Sequence, residues 1–334
     1  MRCPWAIDRV PQVRAAVFAA LTWVVTFLIS VTLAAAQAAK VQTQKVPQVQ
    51  GPVLAANLGF QSPDPQDPAV PAPHPSAPIV RDATFQSASL ARVMKYRILL
   101  PSDYDIRTHR YPVLYLLHGL QGDYTNWDTH THLREYAAPL QVIIVMPDAD
   151  NSWYLNSTTH SKDRFEDYVA KDLIAEIDQK YRTIATRESR AIAGLSMGGY
   201  GSLKFALKYP NLFVFAGSVS GTVAVAHADY HPQAAERYHQ LLQQILGPVG
   251  SEPWKANDLF ALAKKDDPSR LPYLWLSCGA ADLFLEENRR FVELLQQHKI
   301  PYTYTEAPGG HSWTFWDDAL PVMLRELERH MAIR

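Results

Sequence analysis

The sequence has little cysteine and almost no excess of charge of either sign. Only two cysteines, Cys3 and Cys278, occur among its 334 residues, and no C-x-x-C spacing is present. This argues against a cysteine-rich zinc site and a disulfide framework. We expect Cys278, within the apolar run YLWLSCG, to be buried like a small hydrophobic residue. The formal net charge is -1 and no run of five basic residues occurs, so nothing indicates a nucleic-acid partner.

The sequence also lacks the patterns that bind phosphates, dinucleotides and metal ions. GGYGSLK does not have the G-x-x-x-x-G-K-[ST] spacing of a phosphate loop, and no dinucleotide fingerprint fits. Five histidines lie in the stretches DTHTHL and HADYHPQAAERYHQ: His130, His132, His227, His231 and His239. No cluster of acids or cysteines completes a set of metal ligands there. We therefore expect neither a cofactor nor a metal ion.

The N-terminal segment, residues 1–36, has the organisation of a targeting sequence. Arg2, Arg9 and Arg14 precede an apolar run from Ala15 to Ala36, which ends in small residues. Both Ala34-Ala35-Ala36 and Ala36-Gln37-Ala38 fit a small-x-small cleavage site, so we predict a secretory signal peptide. The run is also long enough to remain as a membrane anchor. In either case the rest of the protein is carried out of the cytoplasm, and a membrane contact is expected only if the segment is not cleaved.

Residues 37–78 differ in composition from everything that follows. They are rich in glutamine, proline, alanine and valine, as in QSPDPQDPAVPAPHPSAP, and show no apolar period. Prolines at this density favour extended conformations, so we interpret the segment as a linker. The predicted catalytic domain then occupies residues 79–334.

Residues 79–334 alternate between strand-like and helix-like stretches. ATFQSASL and ARVMKYRILLP predict two strands, followed by the continuous apolar runs YPVLYLLHG and LQVIIVMPD. Such runs are typical of strands buried on both faces. RAIAGL, LFVFAGSVSG, PYLWLSCG and PYTYTEAP continue the series, and residues 164–182 predict an amphipathic helix. The pattern predicts an α/β fold with a doubly wound, mostly parallel sheet and helices on both faces. Residues 222–267 interrupt it and predict a helical excursion over one end of the sheet.

The motif Gly194-Leu195-Ser196-Met197-Gly198 is a G-x-S-x-G between a predicted strand and a predicted helix. A tight turn in this context strains the serine and holds its hydroxyl clear of the sheet. The small residues on either side relieve the crowding. We therefore interpret Ser196 as a nucleophile, and an ordinary glycine-serine turn is the alternative.

A serine hydroxyl needs a base and an oriented acid, each in a loop after a later strand. Asp282 directly follows YLWLSCG, and His311 follows PYTYTEAP in a Gly-Gly loop. Four other carboxylates lie nearby: Glu286, Glu287, Asp317 and Asp318. The first two fall within a predicted helix and the last two beyond the histidine, so Asp282 and His311 are the predicted partners of Ser196.

The negative oxygen of the reaction needs two hydrogen-bond donors. The backbone N–H of Met197, directly after the nucleophile, is one candidate. The second donor is expected in the loop HGLQG after the third strand, with the Leu120 N–H as the best candidate and His118 as a residue that shapes the loop. Aromatic residues in loops near this end of the sheet are candidates for substrate contact: Trp127, Trp153, Tyr154, Trp313 and Trp316.

Four stretches in the right order resemble the esterase D-type α/β-hydrolases: YPVLYLLHGLQGDYTNW, GLSMGGYGSLKFALKYPNLFVFAGSVSG, CGAADLFLEENRRF and GGHSWTFWDDALP. That group includes S-formylglutathione hydrolases, short-chain (tributyrin-type) esterases, feruloyl esterases and mycolyltransferases. The resemblance covers roughly residue 79 to the C-terminus. It implies the α/β-hydrolase fold, a triad of Ser196, Asp282 and His311, and oxyanion donors at Leu120 and Met197.

These observations predict an exported serine carboxylesterase that acts through an acyl-enzyme. The expected substrate is a small-molecule or carbohydrate-linked ester with a short acyl chain or a feruloyl-type acid. Two alternatives stay open at this point. An acyltransferase would use the same residues and pass the acyl group to an alcohol or a sugar. A binding protein on a hydrolase fold would have kept the triad without using it.

Overall fold

The computed structural model describes residues 77–227 and 236–331. The predicted signal peptide or anchor (residues 1–36) and all but the last two residues of the predicted linker lie outside the described residues, as does His231. Within the described part of the chain, no helix is long and apolar enough to cross a membrane.

The described residues form an eight-stranded sheet with the order β1-β2-β4-β3-β5-β6-β7-β8. Strands β3 to β8 run parallel, whereas β2 is antiparallel to both β1 and β4. The strands are β1 (Ile79–Ser87), β2 (Arg92–Leu100), β3 (Val113–Leu117), β4 (Ile143–Pro147), β5 (Arg190–Leu195), β6 (Phe215–Val219), β7 (Tyr273–Gly279) and β8 (Tyr302–Ala307). The prediction of a mostly parallel α/β sheet is confirmed.

The helices connect the strands and also form the excursion predicted between β6 and β7. They are α1 (Asn126–His130), α2 (Leu133–Ala137), α3 (Phe165–Asp167, the π-helical Tyr168–Leu173 and Ile174–Lys180), α4 (Met197–Lys208), α5 (Glu236–Leu246), α6 (Glu252–Lys255), α7 (Leu259–Leu262), α8 (Leu285–Gln297) and α9 (Trp313–His330). Short 3-10 turns precede β5 and β7.

The two faces of the sheet are covered by different sets of helices. Successive side chains of a strand point to opposite faces, and in β3 Val113, Tyr115 and Leu117 belong to one buried cluster while Leu114 and Leu116 belong to another. The first cluster also contains residues of α3, α4 and α8, and the second contains residues of α1, α2 and α9. The sheet is therefore doubly wound, with helices on both faces as predicted.

Burial follows the apolar pattern of the sequence. Every residue of β3, β4, β5 and β6 is buried, as expected for central parallel strands covered on both sides. Cys278 in β7 is also buried, and burial raises the pKa of its thiol. In α3 the residues expected on one face are buried: Tyr168, Leu173, Ile174 and Ile177. The π-helical stretch was not foreseen, since a wider turn has no signature in the apolar period.

A buried ion pair joins α4 to α3. The side chain of Lys204 is fully buried, and its Nζ lies 2.8 Å from Glu166 Oε2. Glu166 also accepts hydrogen bonds from Lys208 Nζ and, at 2.6 Å, from the Tyr209 hydroxyl. Burial alone would raise the pKa of Glu166, but the two lysine charges outweigh it and lower the pKa to about 2. The carboxylate is therefore held in its charged form.

The variant Glu166→Gln removes this charge and keeps the shape of the side chain. Lys204 then has no carboxylate partner in the core, and we expect the free energy of unfolding to fall by about 3 kcal/mol, as for other broken buried pairs. Urea denaturation measures the change. Glu252→Gln is the control, because its carboxylate is 85% exposed and pairs with Lys255 at the surface; no measurable change is expected there. Equal effects of the two variants would contradict a stabilising role for the buried pair.

Candidate active site

The predicted functional residues meet at one edge of the sheet because they follow parallel strands. Leu120 lies after β3, Ser196 after β5, Asp282 after β7 and His311 after β8. The carboxyl ends of these parallel strands lie at the same edge. Leu120 and His311, which are 191 positions apart in the sequence, therefore lie at the same edge.

Ser196 occupies a strained turn between β5 and α4. Its φ is 53° and its ψ is -117°, a conformation that side-chain-bearing residues rarely adopt. A Cβ atom on Gly194 would lie 2.5 Å from the backbone of Gly198, and a Cβ on Gly198 would lie 2.5 Å from the Leu117 carbonyl oxygen. Only glycine fits at either position without a shift of the backbone. The two glycines let β5, α4 and the end of β3 approach closely enough to form the turn.

A chain of hydrogen bonds links the three predicted triad residues. Ser196 Oγ lies 3.0 Å from His311 Nε2, and His311 Nδ1 lies 3.0 Å from Asp282 Oδ2. The Phe284 N–H donates to Asp282 Oδ1 at 2.9 Å. Because the aspartate can only accept, Nδ1 carries the proton and Nε2 is left to accept from the serine hydroxyl. This arrangement can remove a proton from Ser196.

The surroundings favour a charged aspartate and a fixed imidazole. The Asp282 side chain is completely buried. Burial raises its pKa, but the hydrogen bonds from His311 and from the Phe284 N–H outweigh this, so the pKa lies below its usual value. The His311 ring is flanked by the rings of Phe284 and Trp316, with centroids 5.0 and 4.9 Å away and nearly perpendicular planes.

The loop after β3 lies directly beside Ser196. A Cβ built on Gly119 would lie 3.5 Å from Ser196 Cβ. His118 is buried and fixed by two hydrogen bonds: its Nδ1 donates to the Gly119 carbonyl at 2.8 Å, and its Nε2 accepts from the Ala149 N–H at 3.0 Å. Burial lowers the pKa of His118, which favours the neutral ring that both bonds require. Its place agrees with a role in shaping this loop.

A cavity of about 350 Å³ opens above Ser196. It is lined by Gly119, Leu120, Gln121, Gly122, Asn126, His130, Leu195, Ser196, Tyr238, His311, Trp313 and Trp316. Trp313 therefore lies where substrate contact was expected. Gln121, Asn126 and His130 were not among the predicted site residues, although the first two belong to the HGLQGDYTNW stretch that carried the resemblance. Tyr238 is on α5, and no local motif indicates that this helix reaches the site.

Three aromatic residues expected at the substrate lie in the core instead. Trp127, Trp153 and Tyr154 are between 0% and 1% exposed and do not line the cavity. The Trp127 Nε1–H donates to the Leu117 carbonyl and the Tyr154 hydroxyl to the His118 carbonyl, each at 2.9 Å. Burial of Trp127 and Tyr154 is favourable because each large ring leaves water while its polar atom keeps a backbone partner. Trp153 packs instead edge-on against the rings of Tyr200 and Tyr238. The expectation that these three residues contact the substrate is therefore corrected: they pack in the core.

The histidines considered as metal ligands have other neighbours. The His130 ring contacts the Trp313 ring in a tilted arrangement, with centroids 4.7 Å apart, and His132 Nδ1 lies 2.6 Å from Asp317 Oδ2. His227 Nδ1 lies 2.8 Å from Asp258 Oδ2. Among residues 77–227 and 236–331, no three histidine, cysteine, aspartate or glutamate side chains are grouped to hold a metal ion.

The doubly wound sheet and the strained serine turn between β5 and α4 define an α/β-hydrolase. Within this class, a model of the family described as "Putative esterase" matches residues 87–327, and the chain belongs to that family. The protein is therefore an enzyme, a serine esterase. The resemblance to the esterase D-type α/β-hydrolases is confirmed.

Individual relatives support the same assignment. An acetyl esterase of Caldicellulosiruptor saccharolyticus is 28% identical over 252 residues, which cover 71% of this chain and 94% of that protein. A diacylglycerol acyltransferase/mycolyltransferase of Mycobacterium gordonae is 27% identical over 261 residues, covering 65% of this chain and 72% of that protein. The solved structure of FphF, a fluorophosphonate-binding serine hydrolase of Staphylococcus aureus, has a TM-score of 0.67 at 26% identity and covers 75% of this chain and 99% of that one.

The close approach at Gly198 generates a prediction. In Gly198→Ala the new methyl group would meet the carbonyl oxygens of Leu117 and His118 at 2.5 and 2.6 Å, and backbone atoms cannot rotate away as a side chain can. We expect the free energy of unfolding to fall by about 2 kcal/mol, a usual cost of overpacking, and most ester hydrolysis to be lost.

Gly310→Ala is the matched control, because it adds the same group in the loop of His311 where the nearest atom is 3.5 Å away. Its effect on stability should stay within about 0.5 kcal/mol. Urea denaturation and ester hydrolysis rates measure both variants. A fully active and stable Gly198→Ala would show that α4 can move away from the Leu117 and His118 carbonyls without disrupting the turn.

Proposed function

We propose that the protein is an exported serine carboxylesterase that hydrolyses short-chain acyl or feruloyl-type esters through a triad of Ser196, His311 and Asp282. The observation that carries the proposal is the 3.0 Å contact between Ser196 Oγ and His311 Nε2, continued to Asp282 at 3.0 Å, at the base of an open cavity. A nucleophile, a base and an orienting acid in this order are the arrangement that acyl transfer requires.

The first half of the reaction forms the acyl-enzyme. Ser196 Oγ attacks the carbonyl carbon of the ester while its proton passes to His311 Nε2. The Asp282 carboxylate, hydrogen-bonded at Nδ1, stabilises the imidazolium that results. When the tetrahedral intermediate collapses, the bond to the alcohol oxygen breaks and Nε2 returns the proton to that oxygen. The alcohol leaves, and the acyl group remains bound to Ser196 as an ester.

The second half repeats these steps with water. His311 Nε2 takes a proton from a water molecule, whose oxygen attacks the acyl carbonyl. Collapse of the second intermediate breaks the bond to Ser196 Oγ, and Nε2 returns the proton to Oγ. The carboxylic acid leaves, and the free serine and the neutral histidine are restored. No cofactor takes part in either half.

The backbone N–H groups of Leu120 and Met197 stabilise the negative oxygen of both intermediates in this proposal. Met197 is the first residue of α4, and N–H groups in the first turn of a helix have no partner within the helix and carry its positive dipole end. The Leu120 N–H donates to no backbone carbonyl among the described residues, and its loop lies beside Ser196. Both donors are thus available to an oxyanion.

The cavity supports a small or flat acyl group. At about 350 Å³ it lies within the range of small-molecule sites. Trp313, Trp316 and Tyr238 supply ring surfaces, while Gln121 and Asn126 supply polar groups. Rings of this kind pack against an aromatic acid or a sugar, and the amides can bind hydroxyl groups. A small-molecule ester or an ester on a carbohydrate fits this lining.

Acyl transfer to an alcohol or a sugar is the second candidate. The similarity to a protein named as a diacylglycerol acyltransferase/mycolyltransferase favours it. The chemistry differs only in the nucleophile that attacks the acyl-enzyme, since an alcohol oxygen replaces that of water. The same residues would serve both reactions.

Export rests on the sequence of residues 1–36, with its arginines, its apolar run and its small residues before Gln37. We expect the full chain, expressed in a bacterium with a secretory pathway, to leave the cytoplasm. Mass spectrometry of the recovered protein distinguishes the two routes. A form that begins after Ala36 or Ala38 indicates cleavage, whereas a full-length form in the membrane fraction indicates an anchor. Full-length protein in the cytoplasm would contradict export.

The triad is tested by the variant Ser196→Ala. We expect wild-type protein to hydrolyse p-nitrophenyl acetate and methyl ferulate with different efficiencies, and the variant to lose at least about a thousandfold in kcat, because no other group replaces the nucleophile. Ser269→Ala, at an exposed serine, is the control and should keep full activity. Unchanged hydrolysis by Ser196→Ala would refute the assignment of the nucleophile.

A second measurement on the wild-type protein separates hydrolysis from transfer. Product analysis with an added alcohol or sugar acceptor reports whether the acyl group goes to water or to the acceptor. Predominant ester products at modest acceptor concentrations would favour the acyltransferase.

A further inference from the structure

Four consecutive peptide groups, from the last residue of β3 into the loop that follows, are each held by a side chain. The carbonyl oxygens of residues 117, 118 and 119 accept hydrogen bonds, and the N–H of residue 121 donates one. The four side chains, in the same order, are those of Trp127, Tyr154, His118 and Asn151, at distances of 2.9, 2.9, 2.8 and 2.7 Å. A loop normally leaves such groups to water. We call residues 117–121 the clamped loop.

The third of these peptide groups contains the candidate oxyanion donor. The carbonyl of Gly119 and the N–H of Leu120 belong to one planar, trans peptide group, so they point in opposite directions. The Gly119 carbonyl accepts from His118 Nδ1 at 2.8 Å and from the Gly122 N–H at 3.1 Å. Holding the oxygen on one side fixes the direction of the Leu120 N–H on the other.

The second peptide group connects the clamped loop to the nucleophile helix. Its carbonyl, that of His118, accepts from the Tyr154 hydroxyl and lies against Gly198 of α4. A Cβ on Gly201, one turn further along α4, would lie 2.6 Å from the Tyr154 ring. Tyr154 thus touches both the loop that carries Leu120 and the helix that begins at Met197.

Tyr154 is itself held firmly. It is 0% exposed, and its backbone carbonyl accepts a hydrogen bond from the buried Nζ of Lys204 on α4. Trp153 and Tyr154 have φ values of 54° and 55°, a strained conformation for residues with large side chains. Such strain persists where the surroundings determine the conformation and often accompanies a functional requirement.

We propose that Tyr154 and His118 are positioning residues of the oxyanion hole: by holding the His118 and Gly119 carbonyls they aim the Leu120 N–H at the oxygen that becomes negative beside Ser196. The inference rests on the proposed function and adds two residues to it. A hydrogen bond to this oxygen stabilises the transition state most when its direction is set before the reaction, because reorientation during the reaction costs free energy. Neither residue touches the substrate.

Tyr154→Phe is the first test, since it removes one hydroxyl and leaves the ring in place. We expect kcat to fall about tenfold, less than the loss that follows removal of a whole donor, with KM changed by less than about twofold. Tyr168→Phe is the matched control. Tyr168 is also fully buried, but its hydroxyl has no hydrogen-bond partner within the described residues, so kcat should not change.

Binding of phenylboronic acid provides a second readout. Its boron accepts an electron pair from Ser196 Oγ, the serine proton passes to His311, and a tetrahedral anion forms with one oxygen at the site of the oxyanion. Its affinity should fall in Tyr154→Phe by about the same factor as kcat/KM, and not in Tyr168→Phe. A purely structural role of the hydroxyl would lower the melting temperature and leave kcat and boronate affinity unchanged in the folded fraction.

Two variants of His118 separate the clamp from general packing. In His118→Asn the amide nitrogen can occupy the place of Nδ1 and donate to the Gly119 carbonyl. In His118→Gln the longer side chain reaches the place of Nε2 and keeps the bond from the Ala149 N–H instead. We expect His118→Asn to retain a kcat at least about threefold higher than that of His118→Gln, because only the former keeps the bond that orients the peptide group.

The outcomes decide between the inference and the function on which it rests. If Ser196→Ala is inactive while Tyr154→Phe matches Tyr168→Phe in kcat and boronate affinity, the positioning role is refuted and the esterase mechanism stands. If Tyr154→Phe does not fold, the His118 pair decides, and equal kcat values or a more active His118→Gln would refute the inference. Retained activity in Ser196→Ala would refute the proposed function itself.

Discussion

The close approach of three backbone segments at Gly194 and Gly198 is the constraint on which the site depends. The turn at Ser196 can form only if the backbones of β5, α4 and β3 approach so closely that no Cβ atom fits between them. Two consequences follow from this one contact. It holds Ser196 at a positive φ with its hydroxyl towards the cavity, and it brings the carbonyls of residues 117 and 118 against the nucleophile helix. The nucleophile and the neighbouring loop therefore have a common support.

Backbone segments that approach so closely bury polar groups, and the rest of the site shows how these are satisfied. The buried carbonyls of the clamped loop accept from Trp127, Tyr154 and His118, and the buried Asp282 accepts from His311 and a backbone N–H. An unpaired buried polar group costs about 1–3 kcal/mol, so each of these bonds removes a penalty as well as fixing a direction. The Leu120 N–H donates to no backbone carbonyl among the described residues, and Leu120 lines the cavity.

Local sequence patterns account for much of the fold and for the residues that meet at Ser196. RAIAGL predicts β5 with the observed bounds, and the G-x-S-x-G motif, Asp282 and His311 each follow a strand whose apolar run is visible in the sequence. Parallel strands end at one edge, so strand order alone brings these residues together. The position of a residue that directly follows a parallel strand can therefore be inferred from the sequence alone.

The surroundings of the site could not be inferred in this way. Whether Trp127 or Trp313 faces the cavity depends on the path of the chain around each ring. Trp127 is buried and donates its Nε1–H to the Leu117 carbonyl, whereas Trp313 lines the cavity. Tyr238 reaches the cavity from α5, far from any motif. The π-helical part of α3 likewise depends on packing and not on a periodic signal.

Aromatic residues that are buried beside the cavity are as important to the site as those that line it. Tyr154 was expected to bind substrate because a ring in a loop near the active end suits that role, yet its hydroxyl and its ring connect the clamped loop to α4. Its backbone is in turn bound by Lys204, whose charge is balanced by Glu166 on α3. A continuous set of contacts therefore runs from a buried ion pair through one tyrosine to the peptide group beside Ser196. A catalytic site built on loops gains the precision of a core when its loops are tied to the core in this manner, because a displaced peptide group would break several bonds at once.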